Sequence, residues 1–112
     1  MHFDLPSGGS AELHETVTFG RQRRVRAAMI LYRAGTAEQR AGAPAAVIAA
    51  MTAAWTFTAG GQPLPVTVDA VDEIDHKDAD ALFDRSVELY NAATAIAPKV
   101  DGTPNGSGPA RP

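Results

Sequence analysis

Few residues in this chain are spaced for chemistry. The three histidines, His2, His14 and His76, lie far apart, and no pair has the i, i+4 spacing with an intervening Glu that a helical zinc site needs. His14 lies between Glu12 and Glu15, and an imidazole with two carboxylates could ligate a divalent ion. A solvent-facing strand edge explains the same triplet. Asp75, Asp78 and Asp80 follow the opening of a calcium loop, but the glycine and terminal Glu of an EF-hand do not follow. Asp75 reads better as a helix cap. Ser7-Gly8-Gly9-Ser10 lacks the Gly-Lys-Ser/Thr end that cradles phosphates in a P-loop. No serine stands in a nucleophile-elbow context. The chain has no cysteine, which excludes a disulfide framework, a thiolate metal site and a thiol nucleophile. No catalytic residue, metal site or cofactor is assigned, and the sequence gives the enzyme class no positive support.

Charge is more informative than any motif. Residues 18–42 carry six Arg and one Glu, whereas residues 69–88 carry eight acids against Lys77 and Arg85. On a helical wheel Arg23, Arg26 and Arg33 share one face, opposite an apolar one. Asp80, Asp84 and Glu88 share another at i, i+4, i+8 spacing. Like charges at that spacing cost ~0.2–0.5 kcal/mol per pair. Arginines near a helix start oppose its dipole at ~0.3–1 kcal/mol each. Both stripes suit solvated faces, or contacts between oppositely charged surfaces. The net charge of −3 argues against a nucleic-acid partner, although a local basic patch can act on its own.

The elements that must carry these faces follow from spacing. Phe3 and Leu5 alternate with polar residues, Pro6-Ser7-Gly8-Gly9 is turn chemistry, and Ala11, Leu13 and Val17 alternate again. This predicts a hairpin, too small to stand without a helix or another chain. Val25, Ala28, Met29 and Tyr32 predict a helix over 19–34, capped by Thr18 and stopped by Gly35. Thr36-Ala37-Glu38-Gln39 has the capping-box form and predicts a short turn ended by Gly42. Pro44 opens a further helix, running to about Ala54 before the β-prone Trp55-Thr56-Phe57-Thr58. Residues 59–63 read as a loop and Leu64–Val68 as extended. Asp75 caps a last helix over 76–97, with Ala79, Leu82, Phe83, Ser86, Val87, Tyr90 and Ala93 on one face. On that face Leu82, Phe83, Val87 and Tyr90 are expected to meet Val25, Met29 and Tyr32.

The expected fold is α+β and mostly helical: an N-terminal β-hairpin on about three helices in a single domain over 1–98. Residues 99–112, rich in Gly and Pro, read as a disordered tail, dispensable for folding. Of the 50 apolar residues in this 112-residue chain, 22 are Ala, so the core is thin. Such a core is not expected to hide all of Val47, Ile48, Met51, Trp55 and Phe57. The expected partner-binding residues are therefore Arg23, Arg26, Arg33, Val47, Met51, Trp55 and Phe57. The longest apolar run is too short and Ala-rich to span a bilayer, and the first residues lack the charge and apolar pattern of a signal peptide.

In order, the segments LPSGGSAELHE, RQRRVRAAMILY, AAVIAAMTAAWTF, PLPVT, VDAVDEIDHKDAD and ALFDRSVELYNAA resemble the small tail assembly chaperones of long-tailed bacteriophages, especially those of GC-rich hosts. The resemblance covers Leu5 to Ala93 and rests most on the WTF–PLPVT junction. It implies a non-enzymatic protein of the host cytoplasm that coats the tape-measure protein and recruits tail tube protein. It implies no catalytic residues. Self-association is a further expectation. The alternatives are a structural tail-completion or connector subunit that stays in the virion, and a small nucleic-acid-binding regulator using the 21–33 helix.

Overall fold

The structure, a computed structural model, describes residues 1–95. The expected domain limit at 98 and the tail 99–112 lie outside the described residues. The fold is α+β. In chain order the elements are β1 (His2–Asp4), β2 (Ser10–Leu13), α1 (Phe19–Ala34), α2 (Ala37–Met51), β3 (Thr52–Trp55), β4 (Thr58–Ala59), β5 (Gln62–Pro63), α3 (Val68–Val71) and α4 (His76–Thr94).

The hairpin forms around Pro6. The Gly8 N–H donates to the Leu5 carbonyl at 3.0 Å, and Gly8 takes the positive φ of 105° that a side chain would resist. β1 pairs antiparallel with β2, Phe3 opposite Ala11. The support that two strands require comes from a third. β3 pairs antiparallel with the free edge of β2, Ala11 opposite Trp55, giving the order β1-β2-β3.

That third strand corrects the expected helix end. α2 stops at Met51, three residues before Ala54, because Thr52 turns extended and the following residues gain a pairing partner in β2. The start of α2 is also earlier than the sequence implies. The capping box is complete: Thr36 Oγ1 accepts from the Gln39 N–H at 3.2 Å, and Gln39 Oε1 accepts from the Thr36 N–H at 2.9 Å. The helix it opens runs uninterrupted through Gly42 and Pro44, so Gly42 ends nothing and Pro44 starts nothing. An interior proline costs about 3 kcal/mol. Burial of Val47, Ile48 and Met51, at ~1.5–3 kcal/mol per side chain, outweighs it.

The remaining elements are short. Gly60 and Gly61, at φ 58° and 79°, make the tight primed turn between β4 and β5 inside what the sequence presents as a loop. Val68 begins the one-turn helix α3 instead of ending an extended segment. Thr67 Oγ1 caps it by accepting from the Ala70 N–H at 3.1 Å. Asp75 caps α4 as expected, accepting from the Lys77 N–H at 2.8 Å. The helix ends at Thr94, short of the expected 97.

Two apolar clusters make the core. Leu5, Ala11, Leu13, Ile48, Val71 and Leu82 form the first, under the sheet. Val25, Ala28, Ala43, Val47 and Met51 form the second, between α1 and α2. Phe83 and Leu89 touch both. The expected contact of α4 with α1 holds for Phe83, Val87 and Tyr90, which pack on the second cluster, and the Phe83 and Tyr32 rings lie 5.4 Å apart. Leu82 faces the sheet instead. Helical period gives a residue's side of the helix but not which neighbour covers it. Asp78, 1% exposed, ties α4 to the hairpin by accepting from the Ser7 N–H at 3.0 Å and the Ser7 Oγ–H at 2.5 Å.

Leu82 is fully buried and Phe83 is not, so Leu82→Ala should destabilise by ~2–5 kcal/mol and exceed the loss from Phe83→Ala in thermal melts. The Ser86 hydroxyl is buried without a hydrogen-bond partner among the described residues. Ser86→Ala should therefore leave the melt unchanged or raise stability by up to about 1 kcal/mol.

Candidate functional site: an alanine trough between α1 and α2

Gly35 and Thr36 leave only two residues between α1 and α2, so the helices turn back as an adjacent pair. One side of the pair receives Phe83, Val87 and Tyr90 of α4. Another side is open and forms a cavity of about 590 Å³. Its floor is Ala27 and Ala28 of α1 with Ala46, Ala49 and Ala50 of α2, and Leu31 and Val68 stand at its walls. Alanine floors let another backbone approach closely, as at helix contacts built on small residues. Leu31 and Val68 are 39% and 47% exposed, so apolar surface faces outward here.

One end of the trough is basic. Arg21 is held in place: Nε donates to the Ala50 carbonyl at 3.1 Å and Nη1 to the Thr16 carbonyl at 2.8 Å. Arg24 stands one turn further on and is exposed. His14 completes this end. Partial burial, and then the Arg21 charge, push its pKa below the ordinary 6.5, so it is neutral at pH 7. Among the described residues no Asp or Glu lines the trough.

The residues expected to bind a partner are divided by the fold. Arg23, Arg26 and Arg33 lie exposed on α1, Arg23 with its guanidinium 5.9 Å from the centre of the Phe19 ring. Phe19 and Ile30 beside them are 73% and 58% exposed. Arg26 and Arg33 border a smaller groove of about 200 Å³ against Val87 and Tyr90 of α4. Val47 and Met51 are corrected to core: both are 0% exposed, since the buried face of α2 is covered by α1 and α4 together. Trp55 and Phe57 are half-buried on the other cluster, under the sheet. Their rings meet edge to face at 5.2 Å, and Trp55 Nε1 donates to the Leu64 carbonyl at 2.6 Å. Trp55 thus pins the β4–β5 segment to the sheet. It shares no surface cluster with the arginine face.

Among the described residues no three His, Asp or Glu side chains gather as metal ligands would, and no ion pair joins the basic helix to the acidic one. Glu12 sits beside His2, not His14: its Oε2 is 3.2 Å from His2 Nδ1, and Asp4 Oδ1 is 2.9 Å from His2 Nε2. No helix among the described residues is long and apolar enough to cross a membrane. The trough itself escapes sequence reading, because its alanines register only as helix formers. The signal is there in retrospect, as paired alanines at 45–46 and 49–50 repeating every turn. Comparison of the chain with protein-family models, curated proteins and solved structures gave no match.

The two histidines should titrate apart. Hydrogen bonds that the His2 ring donates to Asp4 and then to Glu12 raise its pKa, while burial lowers that of His14. The folding stability that goes with neutral His14 is present above the ordinary value of 6.5 and is lost as pH falls, because the unfolded chain then binds the proton more tightly. For His2, whose folded form holds the proton more tightly, the stability is present at low pH and lost as pH rises. Ring-proton shifts followed by NMR between pH 4 and 9 should give His14 the lower midpoint; a reversed order would place the His14 ring in solvent.

Proposed function

We propose that this chain is a non-enzymatic assembly chaperone of a long phage tail, which holds an apolar helix of the tape-measure protein in the trough between α1 and α2. The observation that carries the reading is the trough: about 590 Å³, floored by alanines on two adjacent helices and open to solvent. A third helix laid there would bury its own apolar stripe and cover Leu31 and Val68. Binding through a helix-in-groove contact needs no reacting residue, only shape and excluded water. The order of segments from Leu5 to Ala93, which resembles tail assembly chaperones, supplies the identity of the client. On this reading the protein works in the host cytoplasm and brings tail tube protein to the bound client.

A second reading has one observation in its favour. α1 carries five arginines and no acid, and Arg23, Arg26 and Arg33 face solvent without ion-pair partners among the described residues. That surface, with Tyr32 42% exposed, also suits nucleic acid. Interleaved Ile30 and Phe19 favour a protein partner, since apolar side chains gain nothing from phosphate.

Co-expression with the cognate tape-measure protein tests the proposal. The two proteins should co-purify, and Ala27→Trp should abolish capture by filling the trough. Ala27 is exposed, so the same change should alter stability by no more than ~0.5 kcal/mol. Failure to co-purify, together with DNA binding that weakens steeply with salt and is lost in Arg23→Glu/Arg26→Glu, would establish the regulator reading instead.

A further inference from the structure

The trough is asymmetric along its length, and the asymmetry has a consequence for what it binds. At one end Arg21 is already fixed by the Ala50 and Thr16 carbonyls, which leaves Nη2 without a protein partner among the described residues. Ordering an arginine on binding normally costs rotamer entropy; here that cost is met within the fold. Arg24 lies three residues on, one helical turn away, bordering the same cavity. His14 beside them is neutral and offers a ring nitrogen without adding charge. The far end holds Leu31, and between them the floor is alanine. From Arg21 to Leu31 α1 rises about 15 Å, close to three turns of a helix laid alongside it. With no carboxylate among the described residues that line it, the cavity presents positive charge at one end only.

We propose that the trough selects an apolar helix bearing carboxylates in one terminal turn, which dock on Arg21 and Arg24 and so fix the direction in which the helix lies. The inference rests on the reading of the trough as a helix-binding groove and adds the chemistry of its occupant. A guanidinium held with free N–H groups pairs a carboxylate with defined geometry, which an ammonium would not. A helix C-terminus brings its own partial negative charge to the same place, so a carboxylate in the last turn of the guest fits best. The guest then runs antiparallel to α1. Arg21 and Arg24 are positioning residues for this contact; the alanines supply the close approach.

The test uses the full chain and three synthetic 18-residue Ala/Leu-rich helical peptides, identical except for two Glu, two Gln or two Lys in the C-terminal turn. Affinity measured by fluorescence anisotropy should fall in the order Glu, Gln, Lys, with the Glu peptide at least five-fold tighter than the Gln peptide. In Arg24→Gln that ratio should shrink to within two-fold, and in Arg24→Glu the Lys peptide should bind best. Arg24 is exposed and makes no hydrogen bond or ion pair among the described residues, so both variants should fold, as a thermal melt checks. Equal binding of all three peptides would overturn this inference and leave the groove reading standing. Binding of none would overturn the groove reading and the inference with it, as would binding of decanoate alone, which would make the cavity a site for a small amphipathic acid.

Discussion

Everything in this fold leans on α2. Val47, Ile48 and Met51 are at most 1% exposed, yet they do not belong to one core: Ile48 faces the cluster under the sheet, and Val47 and Met51 face the cluster shared with α1. A chain with so few bulky side chains cannot fill a single large interior, because core volume grows with the number of such residues. Threading one helix between two small clusters lets each of its buried residues serve a different wall. The interior proline is tolerated for the same reason. Its local cost is fixed, whereas the packing it would disrupt involves α1, α4 and the sheet at once.

The trough follows from that arrangement. With α2 buried on the sides that meet the sheet and α4, the small residues at 46, 49 and 50 are left on its remaining side, next to Ala27 and Ala28 of α1. Bulky residues there would have closed the gap or needed a covering element. Alanines leave a shallow apolar channel that costs little in water, since each exposes only a methyl group. The acid-free α1 supplies the charge, and capture of Arg21 by the Ala50 and Thr16 carbonyls places part of that charge at one mouth of the channel.

The sheet has a different logic. β1 and β2 would be marginal as a hairpin. β3 stabilises them because α2 ends where its next residues can pair with Ala11 to Leu13. Trp55 then serves the fold twice, by packing on Phe57 and by donating to the Leu64 carbonyl, which ties the segment that follows to the sheet. Asp78 does the same from α4, holding the hairpin turn through Ser7. A buried carboxylate with two donors is stable where an unpaired one would not be.

Local signals in the sequence determined the elements. Thr18, Thr36 and Asp75 cap helices where their side chains can reach free N–H groups, and the 3.6-residue period of α1 and α4 was readable without any knowledge of neighbours. The α+β class, the Pro6–Gly8 turn and the exposed arginine stripe were readable for the same reason: each depends on residues a few positions apart. What only the tertiary structure decided were the pairings over longer distance. Thr52 to Trp55 became a strand because β2 lay free beside them. Leu82 turned to the sheet, and Val47 and Met51 went to the core, because of what happened to cover them. The trough is the clearest case. Its alanines are silent in sequence, since a methyl group supports a helix equally well in a core, on a surface or in a groove, and only the packing of α1 against α2 determines which of these it lines.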